Sequence, residues 1–87
     1  MYLGENRVFK RQLQKLPLVI QTKVRERLNL LVSDEFNPLL KNHKLNPPYE
    51  GFRSISITGD IRLVYNKLNA QTFYLRAVGT HHQLFGS

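Results

Sequence analysis

The stretch Tyr49–Phe85 reads YEGFRSISITGDIRLVYNKLNAQTFYLRAVGTHHQLF, and its alternation decides the fold. In the first run Ile55 and Ile57 alternate with Ser54, Ser56 and Thr58. In the second, Ile61, Leu63 and Tyr65 alternate with Arg62, Val64 and Asn66; in the third, Phe73, Leu75 and Ala77 alternate with Tyr74, Arg76 and Val78. A period of two is the signature of strands, whose successive side chains point to opposite faces. Thr58-Gly59-Asp60 is a hairpin signal, Lys67 to Gln71 reads as a second, longer turn, and the last run ends in a Gly-Thr-His-His corner. With Ile55, Leu63 and Phe73 turned toward a core, the opposite face presents Ser54, Ser56, Arg62, Tyr74 and Arg76. Antiparallel sheets tolerate one such wet face. Two arginines with an aromatic on one face can hold a phosphate and stack a base.

Upstream, the period changes. Met1 to Leu3 reads as a short edge strand. From about Glu5, Phe9, Leu13 and Leu16 recur at helical spacing. Pro17 ends that helix and starts the next, at a first-turn position where its missing N–H costs nothing. Ile20, Val24, Leu28 and Leu31 carry the second helix to about Val32, with Arg27 at the edge of its apolar stripe, placed to snorkel. Two helices joined by a proline predict an αα-hairpin covering one face of the sheet. Between Asn37-Pro38 and Pro47-Pro48 lies a loop in which Leu39, Leu40 and Leu45 can anchor on the core. Lys41, His43 and Lys44 stay polar there, a basic lip over the sheet.

Eighty-seven residues at 41% hydrophobic content suit one globular domain, 1–87, without linker or repeat. Thirteen Lys+Arg against six Asp+Glu give +7, a balance that points to nucleic acid, a ribosome surface or an acidic protein partner. The absence of cysteine excludes disulfides. No apolar run approaches membrane-spanning length and the amino terminus has no signal-peptide core, so the expected location is the cytoplasm, without a membrane partner.

The passage from His43 to Phe85 resembles the RelE/ParE superfamily of bacterial type II toxins, in its YafQ-like branch. The resemblance is carried by HKL at His43 to Leu45, GFR at Gly51 to Arg53, D-x-R-L-V-Y at Asp60 to Tyr65, and the closing GTHHQLFG, of which GTH-x-x-LF is the most specific. It implies an α+β fold, an N-terminal αα-hairpin on a three- to four-stranded antiparallel sheet. It implies a toxin that cuts messenger RNA on the ribosome, without metal or other cofactor, until a cognate antitoxin neutralises it in an oligomeric complex. In that chemistry the ribose 2′-hydroxyl attacks the neighbouring phosphorus and the 5′-oxygen leaves. A proton acceptor, a proton donor and positive charge at the phosphorane are needed.

By position the resemblance assigns His43, Asp60, His81 and Phe85 to the YafQ-like site and Arg62 to the strand arginine of RelE. An imidazole titrates near neutrality and serves as acid or base; an arginine keeps its charge and clamps phosphate. Asp60 also has a plain role as a turn residue. Lys41, Lys44, Arg53, Ser56, Arg76 and His82 are the expected RNA-binding residues around them. The chain departs from the branch at two places, with Ser56 where a histidine stands and Ala77 where an arginine stands. Arg76 is adjacent to Ala77, but strict alternation sends it to the other face unless a bulge intervenes. The competing readings are a ParE-like toxin that acts on gyrase by binding, and a degenerate toxin that binds antitoxin or RNA without cutting.

Overall fold

A computed structural model describes residues 2–86. The chain runs β1 (Tyr2–Glu5), α1 (Arg7–Gln14), α2 (Leu18–Ser33), a 3₁₀ turn (Pro38–Leu40), β2 (His43–Lys44), β3 (Arg53–Ser56), β4 (Ile61–Asn69), β5 (Thr72–Thr80) and α3 (His81–Phe85). The strands form one five-stranded sheet in the order β1-β5-β4-β3-β2. The architecture is α+β as expected, but the sheet is wider than three or four strands and is mixed, because β1 runs parallel to β5. Tyr2 to Glu5 carry no alternation from which that direction could be read; β1 is held by backbone pairing, extended by Asn6 N–H to the Leu75 carbonyl at 3.0 Å. The strand covers Leu3 and runs on to Glu5; Met1 lies outside the described residues.

Asn6 caps α1, its side-chain oxygen accepting from Val8 N–H at 2.7 Å. That turns the chain from strand to helix two residues later than the periodicity places it. Phe9 is fully buried, and Leu13 and Leu16 pack beside it. On α2, Val24, Leu28 and Leu31 are buried at helical spacing. The expected helical hairpin is only partly realised: α1 lies along β5, while α2 packs against the 3₁₀ turn. The helices meet through the common core rather than along a shared seam. Arg27 is half-buried, and its Nε has no hydrogen-bond partner among the described residues. No helix among them is long and apolar enough to cross a membrane.

The three strand runs pair antiparallel, with Ile55 opposite Leu63 and Ser56 opposite Arg62. Leu63, Tyr65, Phe73 and Leu75 face the helices as the alternation requires. Two details differ from strict alternation. Strand β4 continues to Asn69, so the turn expected over Lys67 to Gln71 shrinks to its last two residues. In β5, Ala77 pairs with Val64 while Leu75 pairs with Tyr65, leaving Arg76 as the extra residue of a β-bulge. Beyond the bulge the inside-out pattern is reversed: Val78 joins the helix-side core and Ala77 the other face.

That other face is not open throughout. Val64, Ala77 and Leu84 form a second buried cluster, with Leu45, Tyr49, Phe52 and Phe85 packed on it. The Gly-Thr-His-His corner is in fact the start of α3. Thr80 accepts from Gln83 N–H at 3.0 Å and Gln83 Oε1 accepts from Thr80 N–H at 2.8 Å, a reciprocal capping box. A Cβ on Gly79 would lie 2.7 Å from that Gln83 oxygen, so glycine is what lets the box close. Five residues cannot hold a helix by themselves; the box and the buried Leu84 do. Of the loop anchors, Leu40 is fully buried and Leu45 packs on the second cluster, but Leu39 is exposed.

Candidate active site

The 3₁₀ turn ends on Lys41, which adopts a left-handed backbone (φ 46°, ψ 46°). For a residue with a Cβ that costs about 1–2 kcal/mol. The twist aims the Lys41 carbonyl at two side chains: His43 Nδ1 stands 3.1 Å from it, and Arg62 Nη2 donates to it at 3.4 Å. Arg62 also donates through Nε to the buried Ser54 hydroxyl at 2.9 Å, and its Nη2 lies 3.3 Å from His43 Nδ1. These contacts follow from register, since β2 pairs His43 with Ser54 and Ser54 stands opposite Val64, two residues along β4 from Arg62.

Partial burial pulls the Arg62 guanidinium below its ordinary value; a guanidinium in a protein keeps its charge. Arg62 can only donate, so the His43 tautomer has two settings. If Nδ1 accepts from Arg62, Nε2 carries the proton. If Nδ1–H donates to Lys41, Nε2 carries the lone pair and is basic.

Across the cleft, His81 is the first residue of α3. Its N–H donates to the Asp60 carbonyl at 3.1 Å, tying the helix start to the β3–β4 turn. Its ring lies 4.8 Å from that of Phe85, tilted 60°. His43, Asp60, Arg62, His81 and Phe85, with Leu45 and Gly59, line one cleft of about 260 Å³. Residues drawn from β2, a turn, β4 and α3 thus converge on a single site: two imidazoles, a carboxylate, a fixed cation and an aromatic face.

The surrounding residues divide. Lys41 contributes its carbonyl to the site, while its side chain is exposed. Ser56 stands opposite Arg62 but is not among the cleft-lining residues, and its hydroxyl donates to the Thr58 carbonyl at 2.9 Å. Lys44 and Arg53 point elsewhere, because they are paired in register with Tyr65 on the helix side. Both line a separate groove with Lys67. Arg76 sits half-buried at the bulge and His82 is exposed on α3; neither lines the cleft. Tyr74 bends over Gly4 at the far side of the sheet, where Asn6 Nδ2 donates to its hydroxyl at 2.7 Å.

Sequence reasoning missed the support of the His43 loop. Asn42 donates through Nδ2 to the Tyr65 hydroxyl at 2.7 Å and to the Glu35 carbonyl at 3.0 Å, and accepts from Arg53 Nε at 2.7 Å. Tyr65 in turn donates to Glu35 Oε2 at 2.7 Å, Lys67 pairs with Glu35 Oε1 at 3.2 Å, and Arg53 stands 5.1 Å above the Phe36 ring. Burial first, with the Glu35 carboxylate adding to it, pushes the Tyr65 phenol far above its ordinary value, against the hydrogen bond from Asn42. A two-residue strand pairs too little to hold its own position, so this network fixes the loop from behind. Nothing in the one-dimensional pattern marks Asn42; only the fold brings Glu35, Tyr65 and Arg53 to it. Among the described residues, no group of three His, Cys, Asp or Glu side chains is placed to share a metal ion.

A family model described as "Bacterial toxin of type II toxin-antitoxin system, YafQ" matches residues 3–86. No curated protein sequence matches the chain. Among solved structures, the fold is similar to that of YafQ from E. coli, at 20% identity over 97% of each chain with a TM-score of 0.82. It is similar to a YoeB/ParE toxin from Agrobacterium tumefaciens, at 19% identity over 93% of this chain and 99% of that one, TM-score 0.80. It also matches the E. coli DinJ–YafQ toxin–antitoxin complex, at 22% identity over 97% of this chain and 96% of that one, TM-score 0.79.

Proposed function

The chain belongs to the YafQ family of bacterial type II toxins, and from that premise we propose that it cuts messenger RNA on the ribosome through the cleft between β2 and α3. Ribonuclease activity is typical of the family. The observation that carries the reading is the convergence of His43, Asp60, Arg62, His81 and Phe85 on one cleft. One imidazole takes the proton of the 2′-hydroxyl as the O2′–P bond forms. The other gives a proton to O5′ as the P–O5′ bond breaks, leaving a 2′,3′-cyclic phosphate and a 5′-hydroxyl. Arg62, already committed through Nε to Ser54 and held near the Lys41 carbonyl, offers its remaining N–H groups to the phosphorane oxygens. Phe85 supplies a stacking face and Asp60 orients the His81 end through its carbonyl.

Ser56 and Ala77 do not deprive the cleft of acid, base and cation, because those come from His43, His81 and Arg62. At the bulge Arg76 is the unpaired residue beside Ala77, a position from which a bulge can re-aim a side chain. The partners of this reading are the translating ribosome with its message, and a cognate antitoxin. The E. coli relative forms such a complex with DinJ, and the +7 charge here favours fast association with an acidic segment. Induction in a bacterium should arrest translation, with primer extension on translated messages finding new 5′ ends inside codons. Intact messages together with accumulated gyrase–DNA breaks would replace this reading with the gyrase-directed one.

A further inference from the structure

Phe85 and Leu45 wall the catalytic cleft on one side and a second cavity on the other. That neighbouring cavity, of about 270 Å³, is lined by Leu45, Pro47, Pro48, Tyr49, Leu84 and Phe85, with Asn46 completing it. It is smaller than the roughly 300 Å³ at which cavities for drug-sized ligands begin, a size for one flat ring system. Its shape is set in advance. Tyr49 N–H donates to the Asn46 carbonyl at 3.0 Å, Phe52 N–H to the Tyr49 carbonyl at 2.9 Å and Leu45 N–H to the Phe52 carbonyl at 3.0 Å, so the loop bonds to itself. The Tyr49 ring stands edge-on to Phe85 at 5.7 Å and to Phe52 at 6.3 Å, which fixes its plane.

Beyond this cavity, and sharing Leu45, Asn46 and Pro47 with it, lies a groove of about 590 Å³ where Lys44, Arg53 and Lys67 outnumber the one carboxylate, Glu50. Cleft, aromatic cavity and basic groove therefore succeed one another around edge strand β2, each sharing lining residues with the next. The order of surfaces along it, acid–base site, flat apolar slot, cations, matches a single polynucleotide strand: scissile phosphate, adjacent base, further phosphates.

We propose that the Tyr49 cavity is a base-binding subsite for the nucleotide next to the cut, with Lys44 receiving the phosphate beyond it. The assignment rests on the RNA-cleaving reading above. Tyr49 and Phe85 supply π-faces or edges to the base, the two prolines add apolar wall, and Asn46 is the lining residue whose amide can favour some base edges over others. Lys44 is exposed and its ammonium makes no hydrogen bond or ion pair among the described residues, whereas Lys67 and Arg53 are partly used within the protein. An apolar side chain from the acidic segment of a protein partner is the competing occupant, and the test below separates it from a base.

The test uses the whole protein with ribosomes carrying a message whose cut site is known, in single-turnover cleavage. Messages made abasic at one position at a time on either side of the cut replace the intact one. At one position the loss of the base should slow cleavage at subsaturating protein about 5- to 150-fold, the range for one base stacked on an aromatic side chain. Tyr49→Ala should impose a similar loss on the intact message and remove most of the abasic penalty at that position only. Lys44→Ala should flatten the salt dependence of cleavage without changing which base matters. The wild-type protein with abasic messages needs no variant to fold, so the assignment can fail cleanly. It fails if no abasic position next to the cut matters, or if the penalty is undiminished in folded Tyr49→Ala protein. It also fails if Tyr49→Ala weakens antitoxin binding while cleavage is untouched, which would give the slot to a protein side chain. No cleavage of the intact message by wild type, by contrast, would remove the RNA reading itself.

Discussion

Arg53 and Arg62 sit on adjacent antiparallel strands, and the sheet sends them to opposite faces. Arg53 shares a face with Tyr65 and is taken into a network with Asn42 and the Phe36 ring. Arg62 shares a face with Ser54 and Ser56, is anchored by Nε, and reaches with its other end toward His43 and the cleft. The first arginine is spent on holding a loop, the second keeps donors for a ligand. Equal charge on neighbouring strands therefore says little about role; what a guanidinium is already bonded to says more. The same division runs through the histidines and acids. His43 and Asp60 line the cleft, while Glu35 is bound by Tyr65 and Lys67 on the other side.

The contrast can be broken most sharply on the cleft side. His43→Ala or His81→Ala should lower single-turnover cleavage by about 10²–10⁴-fold, the usual contribution of a positioned acid or base. Thermal unfolding should barely move, because both residues are exposed. A folded double variant that cleaves as well as wild type would empty the cleft of its role.

Arg62→Ala should remove about 2–4 kcal/mol of transition-state stabilisation, tens- to several-hundred-fold in rate. Arg62→Lys should restore little, since one ammonium cannot reproduce the fork that reaches Ser54 and Lys41 together. Retained activity in folded Arg62→Ala protein would erase the difference between the two arginines.

On the helix side the expected currency is stability. Asn42→Ala leaves Tyr65, Arg53 and the Glu35 carbonyl short of partners and should cost about 1–3 kcal/mol in denaturant unfolding. Its effect on cleavage should come through His43 placement and be smaller than that of Arg62→Ala. A loss of activity equal to that of Arg62→Ala, with no loss of stability, would put Asn42 in the chemistry instead.

The smallest effect is in alkali. The folded protein holds the Tyr65 proton more tightly than the unfolded chain does. The stability tied to that proton is whole below the unfolded value of about 10 and is lost as pH rises toward the folded one. Unfolding free energy should therefore fall as pH climbs past about 10, and Tyr65→Phe should flatten part of that slope. An unchanged slope in the variant would mean that other groups set the alkaline limit.

Much of the fold was legible because it rests on local rules. The alternation from Ile55 to Leu75 placed the strands and the inward face, and the spacing of Phe9, Val24, Leu28 and Leu31 placed the helices. The capping box of α3 was also in plain view, since Thr80 precedes Gln83 by three residues just before Leu84. The same letters also suit a strand end, which is why the box does not stand out. The cleft residues His43, Asp60, Arg62, His81 and Phe85 came from a resemblance confined to short motifs.

The chain by itself determined where the three main strand runs and the two longer helices lie, which strand face is apolar up to Leu75, and which residue types could do acid–base work, because these depend on neighbours within a few positions. Tertiary structure alone decided that β1 pairs parallel with β5, that a bulge at Arg76 reverses the faces beyond it, and that Lys44 and Arg53 leave the cleft side. It alone joined Glu35, Asn42, Arg53 and Tyr65 behind His43. The physical reason is the same in each case. Pairing direction, a one-residue slip and a side-chain network are set by groups far apart in the chain, and a local pattern does not record which distant partner will satisfy them.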